Sequence, residues 1–389
     1  MIISTAATRE DFVSLPILDL SGADSPTERG VLLRQLRSAL FNVGFLYITD
    51  HGVPTSVISS LTAKLPALFD LPNDVKNGLS KLNSPHFLGY SGFAEETTLG
   101  KQDLREQFDY ATELPVVFRE QKGSDRSDRS GRDFTKPYWR LRGPNQWPAE
   151  DMLPGFRQAL TDYHDAVQSL SYRFVHLIEE AFGIPIGTFD DFFLPGAHSA
   201  DVAAVRMPPQ HRIKLIKYPP SSSEHRGQGV GAHKDSSGWL TFLYQVGDEQ
   251  GLEVLNRNGE WIAAPPIAGT FVVNFGNAFE AATEGAVKAT VHRVLAPTST
   301  SNPRYSIPFF QGLPLDLTVS EIRSYIPRAV RSLRKQDEYT TNTNADNVSA
   351  FLDPRWDSLG ESQLRKWISS HGDVGRKWYG DPLVDFYTS

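Results

Sequence analysis

Cysteine is absent from this 389-residue sequence, and its absence excludes several kinds of site at once. The chain can form no disulfide, no iron–sulfur cluster, no thiolate-bound zinc site and no cysteine nucleophile. Any metal must therefore be held by histidine nitrogens or by oxygen ligands. Ten histidines are present to supply the nitrogen.

The sequence also lacks an excess of basic residues, because 39 Lys and Arg stand against 46 Asp and Glu, a formal net charge of -7. We therefore expect no nucleic-acid partner. Long apolar runs are missing, and residues 1–16 contain no basic segment followed by an apolar core. The absence of these signals predicts a cytoplasmic protein without membrane contact.

The hydrophobic pattern predicts one domain, residues 1–389, with four parts. Residues 1–150 alternate β-type and helical runs and form an N-terminal α/β part, and residues 151–200 hold an amphipathic helix that we expect to back a sheet. Residues 201–317 are short β-type runs broken by Gly, Pro and Asn, as in a jelly-roll (double-stranded β-helix) core. Residues 318–389 form a helical C-terminal extension. The fold class is α+β, rich in β structure.

His233 and Asp235 are separated by one residue, so on an extended segment both side chains leave the same face of the backbone. His292 lies on another β-type run, which a double sheet could bring next to this pair. Two imidazoles and one carboxylate on one side of an ion are typical of non-haem Fe(II) oxygenases, and zinc accepts the same ligands. By itself the pair could also be an ordinary surface or turn pair.

Arg304 and Ser306, which follow His292 after one short connection, are spaced to share one strand face. A guanidinium forms paired, charge-assisted hydrogen bonds with a carboxylate, and the hydroxyl adds a third contact. Arg-x-Ser at this position therefore indicates an anion clamp beside the potential metal site.

Several motifs together resemble those of the iron/2-oxoglutarate-dependent dioxygenases, in particular the group of isopenicillin N synthase and plant aminocyclopropane-carboxylate oxidase. In the second half they are KLIKYPP (214–220), GAHKD (231–235), GLEV (251–254), NGEW (258–261), VNFG (273–276), VHRV (291–294) and RYS (304–306). In the first half LPILDLS (15–21) and GFLYITDHGVP (44–54) are similar to the opening of that family. The resemblance covers most of residues 13–315, and one departure is Asn277, where the family commonly has an aspartate.

The resemblance implies a set of roles. His233, Asp235 and His292 would be the catalytic metal ligands that hold Fe(II), Arg304 and Ser306 would bind the distal carboxylate of 2-oxoglutarate, and Tyr218 would be a hydroxylic partner of the same cosubstrate. O2 would then be used to hydroxylate, desaturate or cyclise a small-molecule substrate, in specialised metabolism, with release of succinate and CO2.

Other functions stay open at this point. An oxidase of the isopenicillin N synthase type would need no 2-oxoglutarate and would use Arg304 and Ser306 to bind the substrate's own carboxylate. Residues 92–103, GFAEETTLGKQD, are similar to a segment of ethylene-forming enzymes. A catalytically silent metal-binding or ligand-sensing protein on the same scaffold is the third alternative. The sequence predicts neither the substrate nor the oligomeric state.

Some charged residues outside these motifs have two interpretations. Arg105, Glu106 and Asp109 are expected to form a salt-bridged face of a helix. The loop of residues 90–101 either approaches the substrate or carries solvated charges. Lys214 either sends its ammonium into the pocket or lies at a strand edge in water.

Overall fold

The structure is a computed structural model that describes residues 11–98, 100–120, 131–194, 206–220, 227–236, 238–298, 300–333 and 357–388. Its strands are β1 (Ile17–Asp19), β2 (Phe45–Thr49), β3 (Gly89–Ser91), β4 (Thr97–Thr98), β5 (Lys101–Gln102), β6 (Glu106–Ala111), β7 (Arg212–Tyr218), β8 (Gln228–His233), β9 (Leu240–Val246), β10 (Leu252–Leu255), β11 (Trp261–Ala263), β12 (Phe271–Phe275), β13 (His292–Leu295) and β14 (Arg304–Gln311). Its α-helices are α1 (Arg29–Asn42), α2 (Thr55–Thr62), α3 (Leu65–Phe69), α4 (Asn73–Gly78), α5 (Phe156–Phe182), α6 (Asp190–Phe193), α7 (Asn277–Ala282), α8 (Val319–Tyr325), α9 (Arg328–Arg331), α10 (Leu359–Ser370), α11 (Gly372–Tyr379) and α12 (Asp381–Thr388).

Two sheets form the core. The larger has eight strands in the order β1-β2-β12-β9-β14-β7-β6-β3, and the smaller has four in the order β11-β10-β13-β8. A buried apolar layer joins the sheets and takes Ile216 and Val272 from the larger and Val230, Val254 and Val294 from the smaller. This arrangement is a jelly-roll core with flanking helices, so the predicted fold class is confirmed.

The long helix α5 packs against the outer face of the larger sheet. Its apolar side chains recur along one face, and Phe174 meets Phe242 of β9 edge to face with ring centroids 5.7 Å apart. The helix ends at Gly183, whose φ of 73° is left-handed and suits a residue without a Cβ. The inner face of the sheet is thereby left for the space between the two sheets.

Strand β6 corrects one sequence prediction. Arg105, Glu106 and Asp109 do not lie on a helix, because Glu106–Ala111 pairs antiparallel with β7 and is buried along its whole length. Glu106 and Asp109 are paired with lysines of other elements, and Arg105 is paired with Glu96 of the preceding loop, contacts that helical spacing rules do not detect.

The C-terminal extension packs against an N-terminal segment. Leu364, Ile368 and Val374 share an apolar cluster with Tyr138 and Leu141. Helix α10 is thereby fixed beside the mouth of the space between the sheets. Within the described ranges, no helix is both long and apolar enough to cross a bilayer.

Candidate active site

Three potential metal ligands meet at the end of the smaller sheet. His233 ends β8, Asp235 follows two residues later, and His292 begins β13 directly opposite His233 in the antiparallel pair. One ligand atom of each residue lies within 4.8 Å of the others, and both Nε2 atoms are 3.8 Å from Asp235 Oδ1. Two imidazoles and one carboxylate around a common point are the donor set of a non-haem iron site.

Hydrogen bonds fix the orientation of both imidazole rings. His233 Nδ1 lies 2.8 Å from the carbonyl oxygen of Gly231, and His292 Nδ1 lies 3.1 Å from that of Thr290. Because a carbonyl oxygen only accepts, each Nδ1 must carry the proton and donate it. In the neutral ring the lone pair is then on Nε2, which faces the common point, as in metal-binding histidines.

The carboxylate of Asp235 is held in a similar way. Its Oδ2 accepts hydrogen bonds from Thr241 Oγ1 at 2.6 Å and from Asn274 Nδ2 at 2.7 Å, which leaves Oδ1 for a ligand. Burial alone would raise the pKa of Asp235, but His292, His233 and these two hydrogen bonds lower it below its ordinary value. Burial, followed by the proximity of His292, lowers the pKa of His233 to about 3. The carboxylate is thus ionised and His233 neutral, the forms that bind metals.

The three residues open onto a cavity of about 590 Å³ that is also lined by Arg304, Ser306 and Tyr218. Arg304 is 1% exposed, its Nη2 donates to Gln245 Oε1 at 2.8 Å, and its guanidinium lies over the Tyr218 ring, 5.0 Å from the centroid. Ser306, also buried, is two residues further along β14 and shares the same face. This part of the cavity, which we call the clamp end, offers a fixed guanidinium and a hydroxyl to a carboxylate.

A buried network of charges lines the other part of the cavity. Glu96 is its centre: Oε1 lies 2.8 Å from Lys81 Nζ, from His371 Nε2 and from Gln107 Nε2, and Oε2 accepts from Arg105 Nη2 at 2.8 Å. Residues from the N-terminal part and from the C-terminal extension thus meet at one carboxylate.

Asp109 connects this network to strand β7. Its Oδ2 is 2.7 Å from Lys81 Nζ and 2.8 Å from Gln107 Nε2, and its Oδ1 is 3.4 Å from Lys214 Nζ. Of the two interpretations of Lys214, the structure therefore supports the one that directs its ammonium into the pocket.

Sequence reasoning missed His371, which is 275 residues from its partner Glu96 and has no motif around it. It assigned Arg105 and Asp109 to a surface helix. For the loop of residues 90–101 each of the two interpretations fits one part of the loop. Glu96 lines the cavity, whereas Lys101 is exposed. Asn277, the departure from the family pattern, donates its backbone N–H to the carbonyl oxygen of Asp235 at 2.8 Å.

Comparison with known families and proteins agrees with this geometry. Residues 209–312 match the 2OG-Fe(II) oxygenase superfamily, and residues 15–150 match the family described as non-haem dioxygenase in morphine synthesis N-terminal. The chain is 40% identical over 377 residues to the 2-oxoglutarate-dependent dioxygenase frbJ of Dothideomycetidae sp. (strain 11243), which covers 96% of this chain and 94% of that protein.

Two further relatives are more distant. The chain is 31% identical to the homoarginine-6-hydroxylase 2-ODD-C23 of Glycine max, over 82% of this chain and 91% of that protein. The crystal structure of the dioxygenase for auxin oxidation in rice has a TM-score of 0.54 and 26% identity, covers 82% of this chain and 87% of that chain, and shows the shared fold. The chain therefore belongs to the 2OG-Fe(II) oxygenase superfamily and is a non-haem dioxygenase that uses Fe(II), 2-oxoglutarate and O2.

Proposed function

We propose that His233, Asp235 and His292 bind Fe(II), that Arg304 and Ser306 bind the distal carboxylate of 2-oxoglutarate with Tyr218 beside it, and that the enzyme hydroxylates a small organic substrate of specialised metabolism. The observation that carries the proposal is the convergence of three ligand atoms within 4.8 Å, with His233 Nδ1, His292 Nδ1 and Asp235 Oδ2 each held away from the centre. A donor set whose other atoms are already bonded is pre-organised for one ion.

The clamp end supports the assignment of the cosubstrate. Gln245 holds the guanidinium of Arg304 in place, and Tyr218 lies 5.0 Å below it. Because β14 pairs with β7 so that Arg304 lies opposite Tyr218, the three side chains that would contact the cosubstrate lie on neighbouring strands of one face. A carboxylate bound there would gain two charge-assisted hydrogen bonds from Arg304 and one from Ser306.

Bound iron and 2-oxoglutarate supply the oxidising chemistry, and the roles of the protein are binding, orientation and exclusion of water. Hydrogen bonds from Nδ1 to carbonyl oxygens orient His233 and His292, and Thr241 and Asn274 hold Oδ2 of Asp235 so that Oδ1 is left for the ion. Helix α10 covers the cavity at the end opposite the clamp, which limits access of bulk solvent to the reacting carbon.

Hydroxylation is the outcome we favour over desaturation and cyclisation. The relative from Glycine max is named a hydroxylase, and the chain aligns with 91% of its length. We further propose that residues 1–389 act as a single domain, because β1, β2, β3 and β6 of the N-terminal part pair into the same sheet as β7, β9, β12 and β14.

The test is spectroscopic and needs no substrate. Protein mixed with Fe(II) and 2-oxoglutarate without oxygen should develop a weak visible charge-transfer band, which His233→Ala should abolish. His176→Asn is the matched control, because this half-exposed histidine pairs with Asp190 outside the cavity. If His233→Ala retains the band, the proposed ligand set is wrong.

Oxygen consumption separates the alternative reactions. Oxygen uptake that requires 2-oxoglutarate and yields succinate supports the proposal. Uptake with a substrate but without 2-oxoglutarate would support the oxidase type, and ethylene in the headspace would support fragmentation of the cosubstrate.

A further inference from the structure

The ionisable residues that line the cavity carry an excess of positive charge, although the whole chain has a formal net charge of -7. Besides Arg304 the basic lining residues are Arg105, Arg212, Lys214, Lys234, Arg365 and Lys366. The acidic ones are Glu96, Asp103 and Asp235. Two more acids and one more base stand just behind the lining, because Asp109 pairs with Lys214 and Lys81, and Glu280 pairs with Lys234. Eight basic against five acidic residues leave three positive charges, and the charges of Fe(II) and 2-oxoglutarate cancel.

The two acidic residues that line this end of the cavity, Glu96 and Asp103, already have hydrogen-bond partners. Glu96 Oε1 has three close partners and its Oε2 is bonded to Arg105. Asp103 Oδ1 accepts from the backbone N–H of Gly231 at 3.1 Å and from Gln228 Nε2 at 3.0 Å, and its Oδ2 accepts from Thr98 at 2.8 Å. A carboxylate accepts about four hydrogen bonds, so a cationic ligand would find little acceptor capacity here.

The two lysines of the network are compensated to different degrees. Burial alone would lower the pKa of Lys81, but Asp109 and Glu96 raise it above its ordinary value. Lys214 has the same two acids nearby, yet burial lowers the pKa of Lys214, and Lys81 and Arg105 add to the lowering. Among the described residues, the one acidic oxygen within 4.0 Å of Lys214 Nζ is Asp109 Oδ1, at 3.4 Å. The charge on Lys214 is therefore under-compensated.

Arg105 also has unused hydrogen-bonding capacity. Its side chain is 12% exposed, its Nη2 is bonded to Glu96, and its Nε has no hydrogen-bond partner among the described residues. Arg105 lines the same cavity as His233 and Lys214. An anion between Arg105 and Lys214 would satisfy both.

Strand β7 relates this site to the clamp. Tyr218, Ile216 and Lys214 alternate along the strand and line the same cavity. Four residues at the rise of a strand separate Tyr218 from Lys214 by about 13 Å. Ser306 pairs with Ile216, so Lys214 lies beyond the clamp on the same sheet. A ligand on Lys214 can therefore be bound at the same time as 2-oxoglutarate.

We propose that Arg105 and Lys214 form an anion-binding subsite that takes the carboxylate of an organic-acid substrate. Trp367 of α10 covers the subsite, with Lys214 Nζ 5.5 Å from its ring centroid. The proposal deepens the proposed function and rests on it, because it assigns the substrate class of the same cavity. We therefore expect that the substrate does not place a guanidinium group, such as that of homoarginine, against Arg105 and Lys214.

The position of Trp367 provides a test that needs no knowledge of the substrate. Protein loaded with Mn(II) and 2-oxoglutarate, which fills the clamp, is titrated with iodide or with caesium at constant ionic strength. The fluorescence quenched in the wild-type protein, minus that of Trp367→Phe, is the share of this one tryptophan. We expect iodide to quench it at least about threefold more strongly than caesium, because a cationic cleft concentrates anions. Acetate, but not methylammonium, should protect it.

In Lys214→Met the quenching constants of Trp367 for iodide and for caesium should become similar, and in Lys214→Arg the difference between them should remain. Lys217→Met is the matched control: it lies on the same strand but pairs with Glu106 and Asp70 on the opposite face, and should leave the difference intact. If the two ions quench the Trp367 share of the wild-type fluorescence equally, or if acetate does not protect it, the subsite is overturned even if Lys214→Met fails to fold. If the wild-type protein does not bind 2-oxoglutarate but iodide still quenches Trp367 more strongly than caesium does, the proposed clamp is refuted and the subsite is not.

Discussion

Thr241→Val should weaken binding of the metal without disturbing the fold. The hydroxyl of Thr241 donates to Asp235 Oδ2 at 2.6 Å, and the residue is 3% exposed, so valine fills nearly the same space and removes only the hydrogen bond. A hydrogen bond to a charged group contributes about 1.5–3 kcal/mol, and 1.4 kcal/mol corresponds to a factor of ten in affinity. Metal-free Asp235 loses the same bond, so only part of this free energy affects binding. We expect the affinity for Fe(II) to fall about tenfold, at the low end of such outer-sphere effects.

The affinity is measured by titrating the protein with Mn(II), as a redox-stable substitute, and following the free ion by electron paramagnetic resonance. Thr283→Val is the control, because this threonine is fully buried and donates to the carbonyl oxygen of Phe279 at 3.0 Å, outside the cavity. Asn274→Leu should act in the same direction as Thr241→Val, since Asn274 holds the same oxygen. An unchanged Mn(II) affinity in both Thr241→Val and Asn274→Leu would refute the idea that these residues orient the carboxylate.

Three other substitutions test other parts of the molecule. Arg304→Lys keeps the charge but loses the paired donors, so KM for 2-oxoglutarate in a succinate assay should rise about tenfold or more while binding of Mn(II) stays unchanged. Gly251→Ala would place a Cβ 2.5 Å from the carbonyl oxygen of Leu295 and 3.4 Å from Arg304 Cδ, so it should reduce 2-oxoglutarate affinity and cost about 1–3 kcal/mol of stability in denaturant unfolding. Burial, followed by the proximity of His164, lowers the pKa of His211. Below pH about 6.5 the unfolded chain therefore takes up a proton that the folded protein does not, so the contribution of His211 to the free energy of unfolding is constant above that pH and falls below it by at most about 1.4 kcal/mol per pH unit. His211→Gln should flatten this fall.

The proposed metal ligands and clamp residues could be predicted from the sequence because each set follows the two-residue period of a strand. His233 and Asp235 are two apart, as are Arg304 and Ser306, and in both cases the structure directs the side chains into the same cavity. The pairing of His292 with His233 is different, since it depends on the register of β13 against β8. Spacing alone left that register open, and the family motifs supplied the expectation.

The end of the cavity opposite the clamp, which we call the substrate end because we propose that the substrate binds there, could not be predicted in this way. Glu96, Lys81 and His371 come together through long-range packing, and none has a periodic neighbour that reports the contact. Charges on a short segment are usually a solvated face, and this rule failed for Arg105 and Asp109 because their partners are supplied by other elements. A buried ion pair is specified by tertiary structure, so local patterns carry little information about it.

The two ends of the cavity are formed by different segments of the chain, so substitutions can affect one end without the other. The residues proposed for the clamp and for the metal all lie between Tyr218 and Ser306 in the sequence, and the registers of β8 with β13 and of β7 with β14 bring them together. The proposed substrate end takes Glu96, Asp103 and Arg105 from the N-terminal part, Lys214 from β7, and Trp367 and His371 from the C-terminal extension. Substitutions in the extension should therefore alter the proposed substrate end while the sheet registers behind the proposed iron and cosubstrate sites stay in place. Because Glu96 bonds directly to Lys81 and His371 and interacts electrostatically with Lys214, its replacement should disturb the substrate end as a unit, which distinguishes it from the separable roles of Lys214 and Trp367.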